Sequence, residues 1–143
     1  MYLFNRSISV NVRSDDARNV TIEGILIDSH HELCLTINID AETNTIVSAE
    51  GELRRAPFED CKQTQLRINN LAGINLILNA GKQIRAAVGG KNGCTHLTEL
   101  SLECIKGYLQ SKSKLMEAVM NPDDVKIFVD KYLEGSCLHY NKP

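Results

Sequence analysis

Cys94 and His96 stand two residues apart in the segment GGKNGCTHLTEL, directly before a residue pattern typical of a helix. Thiols and imidazoles are the side chains from which metal sites and nucleophilic sites are built. At a helix N-terminus, free backbone N–H groups and the helix dipole stabilise a thiolate, which makes the sulfur a better ligand or nucleophile. Residues two apart on a regular helix point in nearly opposite directions, so joint ligation requires Cys94 to lie just outside the helix, with Thr95 as the N-cap residue.

Two other segments carry donors of the same kinds. The turn DSHHE contains His30 and His31, and Cys61 lies near the start of a later helix. Adjacent residues at an extended hairpin end cannot both point inward, and His31 is nearer the rigid strand, so we expect His31 to be the ligand of the pair. Glu32 is a further candidate, either as a ligand or as the carboxylate that orients the imidazole.

These segments together predict a shared metal site with two nitrogen and two sulfur ligands. Such a set suits tetrahedral zinc or a two-iron cluster with mixed ligands. Each donor taken alone is more often a turn or packing residue, and no C-x-x-C spacing anchors the set. The predicted ligands are His31, Cys61, Cys94 and His96, with His30 and Glu32 as weaker candidates.

Two other functions are compatible with the same residues. The first is a small metal- or thiol-dependent enzyme; in the thiol-dependent case Cys94 would be the nucleophile, His96 the base and Glu99 its orienting carboxylate. In a metal-free interaction or assembly module, which could be a subunit of a larger complex, these residues would only pack and cap the helix. The Cys-x-His spacing recurs at Cys137 and His139, in a segment that we expect to be a flexible tail.

The composition excludes several classes of partner. The net charge is −2 and 24% of the residues are charged with mixed sign, so no basic surface favours nucleic acid or anionic membranes. The first residues resemble neither a signal peptide nor a membrane span, and five cysteines are an odd number for a disulfide framework. We therefore expect a cytoplasmic protein whose partners are a protein, a second copy of the chain or a small molecule.

The hydropathy pattern predicts strands first and helices afterwards. Alternation with period two marks four strands before residue 55, separated by turns rich in Asp, Asn and Ser. Helical spacing then appears over residues 59–72, 82–88, 95–119 and 125–133. This order predicts an α+β class: an antiparallel β-meander of about four strands, with helices packed on one sheet face.

The chain length suits one domain. We expect residues 1–143 to form a single domain, with a β-sheet half over 1–55, a helical half over 58–135 and a tail over 136–143.

Two resemblances extend these predictions. The segment GGKNGCTHLTEL resembles the signature of an uncharacterised bacterial family, a domain of unknown function with a β-rich N-terminal half and a Gly-Cys-Thr-His-Leu-x-Glu-Leu segment. Over roughly residues 24–109 the layout is also similar to NifU/IscU-type scaffolds for iron–sulfur cluster assembly. The second resemblance implies a ligand in the hairpin loop, one at Cys61 and one at the Cys94–His96 segment, and hence a scaffold or carrier role.

Overall fold

The computed structural model describes residues 1–141. Its first half is a four-stranded antiparallel sheet in the order β1-β2-β3-β4. The strands are β1 (Arg6–Ser14), β2 (Asn19–Asp28), β3 (Glu32–Asp40) and β4 (Thr45–Arg55). Each strand pairs with the next along the chain, as in a meander. The predicted α+β class and meander are therefore confirmed.

One face of the sheet is apolar and buried, because side chains alternate along each strand. The register brings Leu26 opposite Leu33 and Ile22 opposite Ile37, and all four are at most 1% exposed. A register shift between β3 and β4 at Asn38/Ile39 lies between the inward residues Ala49 and Ile46 and keeps both on this face. The buried aliphatic residues of the four strands are Val20, Ile22, Leu26, Leu33, Leu35, Ile37, Ile39, Ile46, Ala49 and Leu53.

Five helical segments follow the sheet within residues 1–141. A 3₁₀ segment spans Glu59–Leu71, and helix α1 spans Ala80–Val88. A three-residue 3₁₀ turn, Gly90–Asn92, precedes helix α2 (Thr95–Glu117), and helix α3 spans Pro122–Tyr132. The helix predicted over 59–72 is thus 3₁₀ rather than α. Its half-buried and buried positions include Cys61, Thr64, Ile68 and Leu71, which are separated by three, four and three residues.

Helix α2 packs on the apolar face at two glycines. A Cβ atom on Gly24 of β2 would collide with the Cys104 Sγ atom and lie 3.0 Å from Leu100 Cδ1. A Cβ atom on Gly107 would lie 2.8 Å from Val10 Cγ1. The two glycines therefore let the helix approach β1 and β2 closely. This helix continues through Gly107, although glycine weakens helix propensity, because the close contact with the sheet requires that residue.

We expect Gly24→Ala to lower the free energy of unfolding by about 2 kcal/mol, because the added methyl group overpacks this contact. Cys104→Ala removes the sulfur that the methyl group would meet, and by itself costs about 1 kcal/mol. The double variant should therefore lose less stability than the sum of the two single variants. Urea unfolding of the four proteins measures this coupling, and strictly additive losses would contradict the packing described here.

The chain divides into two compact units, Met1–Leu109 and Gln110–Pro143. The first contains the sheet, the 3₁₀ segments, α1 and the N-terminal part of α2. The second contains α3, which begins with Asn121 as N-cap: its side chain accepts a hydrogen bond from the Asp123 amide at 2.9 Å. The single domain predicted over residues 1–143 stays a prediction, and the last two residues of the predicted tail, 142 and 143, lie outside the described residues. None of the helices within residues 1–141 has both the length and the hydropathy that crossing a bilayer requires.

Candidate metal centre

Asp28 is the buried centre of a polar cluster at the end of β2. Its side chain is 0% exposed, and its backbone pairs directly with Arg6 of β1. The carboxylate atom Oδ1 accepts hydrogen bonds from the backbone N–H groups of His30 at 2.8 Å and His31 at 2.7 Å. An aspartate that binds the amides two and three residues ahead is typical of a turn, and here it shapes the hairpin between β2 and β3.

The side chains around Asp28 come from three distant parts of the chain. His31 places Nδ1 3.0 Å from Asp28 Oδ1, and Arg6 places Nη2 2.9 Å from Oδ2. His96, in the first turn of α2, places Nε2 3.8 Å from Oδ2. The Arg6 guanidinium also donates through Nη1 to Glu99 Oε2 at 3.0 Å, which connects β1 to the next turn of the same helix.

The imidazole rings of His31 and His96 stack on each other, with centroids 3.7 Å apart and planes inclined by 27°. Each of Asp28, His31 and His96 offers one ligand atom, and these atoms lie within 4.8 Å of one another. Their side chains are 0%, 12% and 25% exposed. Two imidazole nitrogens and one carboxylate oxygen at such separations are a donor set that could hold a metal ion.

The shifted pKa values of Asp28 and His96 favour an ionised Asp28 beside a neutral His96. Burial raises the pKa of Asp28, but hydrogen bonds from the His30 amide, Arg6 and His31 outweigh this effect and bring the pKa well below its ordinary value. Burial lowers the pKa of His96, and the charges of His31 and Arg6 lower it further against the opposing effect of Asp28. Carboxylate and neutral imidazole are the forms that bind metals.

Arg55 holds the hairpin loop in place from the end of β4. Its guanidinium donates to three backbone carbonyl oxygens: Nη2 to Asp28 at 2.8 Å and to His31 at 3.2 Å, and Nη1 to Ser29 at 3.0 Å. These bonds brace the segment that carries Asp28 and His31. The loop is therefore attached to the sheet on both sides, by Arg55 at β4 and by Arg6 at β1.

The glycine-rich segment places the start of α2. A Cβ atom on Gly93 would collide with the carbonyl oxygens of Val88 and Gly89, so this residue lets the chain turn tightly over the end of α1. The Cys94 amide then donates to the Val88 carbonyl at 2.9 Å. Cys94 Sγ accepts a hydrogen bond from the Leu97 amide at 3.4 Å, so Cys94 takes the capping position predicted for Thr95, which is the first residue of α2.

The structure brings together two of the four predicted ligands. His31 and His96 meet at Asp28, while Cys61 and Cys94 do not belong to this group of donors. Cys61 is half-buried near the start of the Glu59–Leu71 segment, and its carbonyl accepts from Thr64 Oγ1 at 2.7 Å. Cys94 is half-buried as the cap of α2. The shared site of His31, Cys61, Cys94 and His96 therefore stays a prediction, distinct from the cluster at Asp28.

The weaker predicted donors also lie outside the Asp28 group. His30 is exposed, and only its backbone amide contacts Asp28. Glu32 falls on the opposite side of the strand alternation from the buried Leu33, and its carboxylate lies 3.6 Å from Arg54 Nη1. All five cysteines of the chain are free thiols, and Cys104 is a packing residue: burial raises its pKa to about 12.

Asp28 and Arg6 are the cluster residues that sequence reasoning missed. By residue type Asp28 is one of the turn residues in DSHHE, and Arg6 precedes the first alternating strand residues. The strand alternation is one sequence signal that points to Asp28. In steps of two from Ile22, Asp28 falls on the inward face, where a carboxylate needs partners. Arg6 can be identified only when the strand register is known, because strand pairing is what places it opposite Asp28.

One of three comparisons with known proteins gives a match to this chain. A family model described as "Protein of unknown function (DUF2889)" matches residues 4–110, which cover nearly all of the Met1–Leu109 unit and every residue of the Asp28 cluster. Neither the curated proteins nor the solved structures contain a match to this chain. The resemblance to NifU/IscU-type scaffolds therefore remains a prediction from the sequence.

Proposed function

Since the chain belongs to the DUF2889 family, whose description assigns no activity, we propose from the site itself that this protein binds a divalent transition metal through Asp28, His31 and His96. The observation that carries the proposal is the convergence of the three donors within 4.8 Å around a buried carboxylate. A buried carboxylate is costly unless it is paired, and metal coordination is one of the ways in which proteins compensate that cost.

The donor set favours particular ions. Two imidazoles and one carboxylate with open coordination positions suit catalytic zinc or non-haem iron(II). An iron–sulfur cluster, the alternative implied by the scaffold resemblance, would draw on thiolates such as Cys61 and Cys94, which lie outside this group. The side chains around Asp28 therefore favour the binding of a single ion over the assembly of an iron–sulfur cluster.

Metal binding requires one local rearrangement. The lone pair of an imidazole nitrogen lies in the ring plane, so one ion can bind both rings only where the two ring planes meet. With centroids 3.7 Å apart and planes inclined by 27°, the planes meet farther from the rings than the length of a metal–nitrogen bond. One ring must therefore turn for both nitrogens to reach one ion. The His96 side chain, at 25% exposure, has more room for this rotation than that of His31.

Metal binding can be tested by titration of metal-free protein with Zn²⁺ or Co²⁺ in a calorimeter. We expect one ion per chain. Removing one of three ligands by His31→Ala or His96→Ala should weaken binding by about 100-fold or more, which exceeds the usual effect of changing a residue that only hydrogen-bonds to a ligand. The matched control is His30→Ala, because His30 is adjacent to His31 but exposed.

Two further variants separate the Asp28 cluster from the site predicted with cysteines. Cys61→Ser and Cys94→Ser should retain the affinity of the parent protein if the ion binds at Asp28. Loss of metal from both cysteine variants, with His31→Ala unaffected, would contradict the proposal and favour ligation by thiols. A parent protein that binds no divalent ion would instead favour the metal-free interaction module.

A further inference from the structure

The two oxygens of the Asp28 carboxylate are not equivalent. Oδ1 already has three partners: the backbone N–H groups of His30 and His31, at 2.8 and 2.7 Å, and His31 Nδ1 at 3.0 Å. Oδ2 has Arg6 Nη2 at 2.9 Å and His96 Nε2 at 3.8 Å. An ion that binds Asp28 must therefore take Oδ2, and it replaces the Arg6 guanidinium there.

Arg6 has a second anchor that keeps it in the cluster. Its Nη1 atom donates to Glu99 Oε2 at 3.0 Å, so the guanidinium loses only one of its two carboxylate partners when an ion binds Asp28. Nη2 then becomes a donor without a carboxylate, next to the ion. A guanidinium in this position can bind an oxygen of a planar or tetrahedral anion.

The charge of the cluster changes sign when a divalent ion binds. Without the ion, the two carboxylates Asp28 and Glu99 exceed the single guanidinium of Arg6 by one negative charge. With the ion, the excess is one positive charge, and the Arg55 guanidinium at the Asp28 carbonyl adds to it. The partly exposed imidazoles of His31 and His96 leave the ion accessible to a ligand from solvent.

We propose that the metal-loaded protein binds a small oxyanion, a phosphate or a carboxylate, between the ion and Arg6. One oxygen of the anion occupies an open coordination position, and another accepts a hydrogen bond from Arg6 Nη2. This inference rests on the proposed metal site. It adds the chemical class of the ligand, and it gives Arg6 the role of recognising that ligand.

The test uses the full chain loaded with Co²⁺, whose visible absorption reports changes in its ligands. Inorganic phosphate and acetate are titrated separately into the loaded protein and into the metal-free protein. We expect a saturable spectral change for at least one anion, and calorimetry should show no binding to the metal-free protein. The anion that binds more tightly identifies phosphate or carboxylate compounds as the class to search.

Variants of Arg6 decide whether the guanidinium takes part. Arg6→Gln should weaken anion binding by about 10- to 100-fold while cobalt still binds, since a charge-assisted hydrogen bond is lost. Arg6→Lys keeps the charge without the planar fork and should lie between the parent protein and Arg6→Gln, which covers the case in which Arg6→Gln does not fold. Arg13→Gln is the control, because Arg13 is an exposed arginine on the same strand whose partner is Glu23.

The two proposals fail in different ways. If cobalt binds but neither anion changes its spectrum, or if Arg6→Gln and Arg6→Lys both bind the anion like the parent protein, the oxyanion site is wrong and the metal site stands. If cobalt does not bind the parent protein, both proposals are wrong.

Discussion

Asp28→Ala is expected to lower the free energy of unfolding by about 3–5 kcal/mol, the loss typical of removing one partner from a buried ion pair. The variant leaves the amides of His30 and His31 without their acceptor, and it removes one of the two carboxylates that hold Arg6. Chemical denaturation at pH 7 measures the loss. Asp28→Asn should fall between the two proteins, because it keeps an acceptor oxygen and removes the charge.

Asp40 provides a matched control, because it ends β3 as Asp28 ends β2. Its carboxylate accepts from the Glu42 amide at 2.9 Å and from Arg18 Nη2 at 2.9 Å, but its side chain is 19% exposed. Water can therefore replace these bonds in Asp40→Ala, and the loss should be clearly smaller than for Asp28→Ala. Equal losses of unfolding free energy in Asp28→Ala and Asp40→Ala would contradict the conclusion that the buried Asp28 contributes more to stability.

The contribution of Asp28 should also depend on pH. Its pKa in the folded protein lies below the ordinary value of about 3.9 that applies to the unfolded chain, so folding favours the ionised form. The stabilisation is complete above that ordinary value and is lost as the pH falls toward the folded pKa. The difference between the parent protein and Asp28→Ala should therefore be smaller at pH 3 than at pH 7, and an unchanged difference would disprove the charge effect.

Gly93→Ala is expected to cost about 3 kcal/mol or more, at the upper end of the range for overpacking. The added methyl group would meet the carbonyl oxygens of Val88 and Gly89, which are backbone atoms and cannot move aside like a flexible side chain. The chain must shift at the Cys94 amide, which donates to Val88. Since this bond fixes the start of α2, the variant should also weaken metal binding at His96.

The control for this prediction lies in the same loop. Gly90 has a φ angle of +72°, and a Cβ atom there would meet nothing within 4 Å. Gly90→Ala should therefore cost only about 1 kcal/mol, the strain of a left-handed alanine, and should leave metal affinity unchanged. Thermal unfolding and metal titration of both variants test the difference. If Gly90→Ala lowers stability more than Gly93→Ala, the left-handed backbone at Gly90 is the more important constraint on this loop, and the close contact at Gly93 is not.

The strands were predictable because their signal is local. Alternation of apolar and polar residues identifies all four, and the observed strands extend beyond the alternating cores by a few residues at most. The segment after β4 was harder, because Cys61, Thr64, Ile68 and Leu71 have the three- and four-residue spacings typical of an α-helix, whereas the segment is a 3₁₀ helix. The packing of that segment, such as Gln65 Oε1 accepting from the Leu53 amide at 3.1 Å, involves distant residues.

The candidate site could be predicted only in part, for a related reason. His31 and His96 were recognised by residue type and by their places beside a strand and a helix start. The partner that joins them, Asp28, and the guanidinium that neutralises it, Arg6, depend on strand register and on which face each residue takes. Cys61 and Cys94 are candidate ligands by residue type, because thiols are good ligands in general, but residue type does not determine where the fold places them.

The pairing of Arg6 with Asp28 has a consequence for how faithfully the sheet assembles. The two residues are direct cross-strand partners on the inward face. A slip of β1 by one residue would place Asn5 or Ser7 opposite Asp28 and turn Arg6 to the other face, which leaves a buried negative charge without its cation. The ion pair at Asp28 thus favours the native alignment of β1 with β2 over a register shifted by one residue.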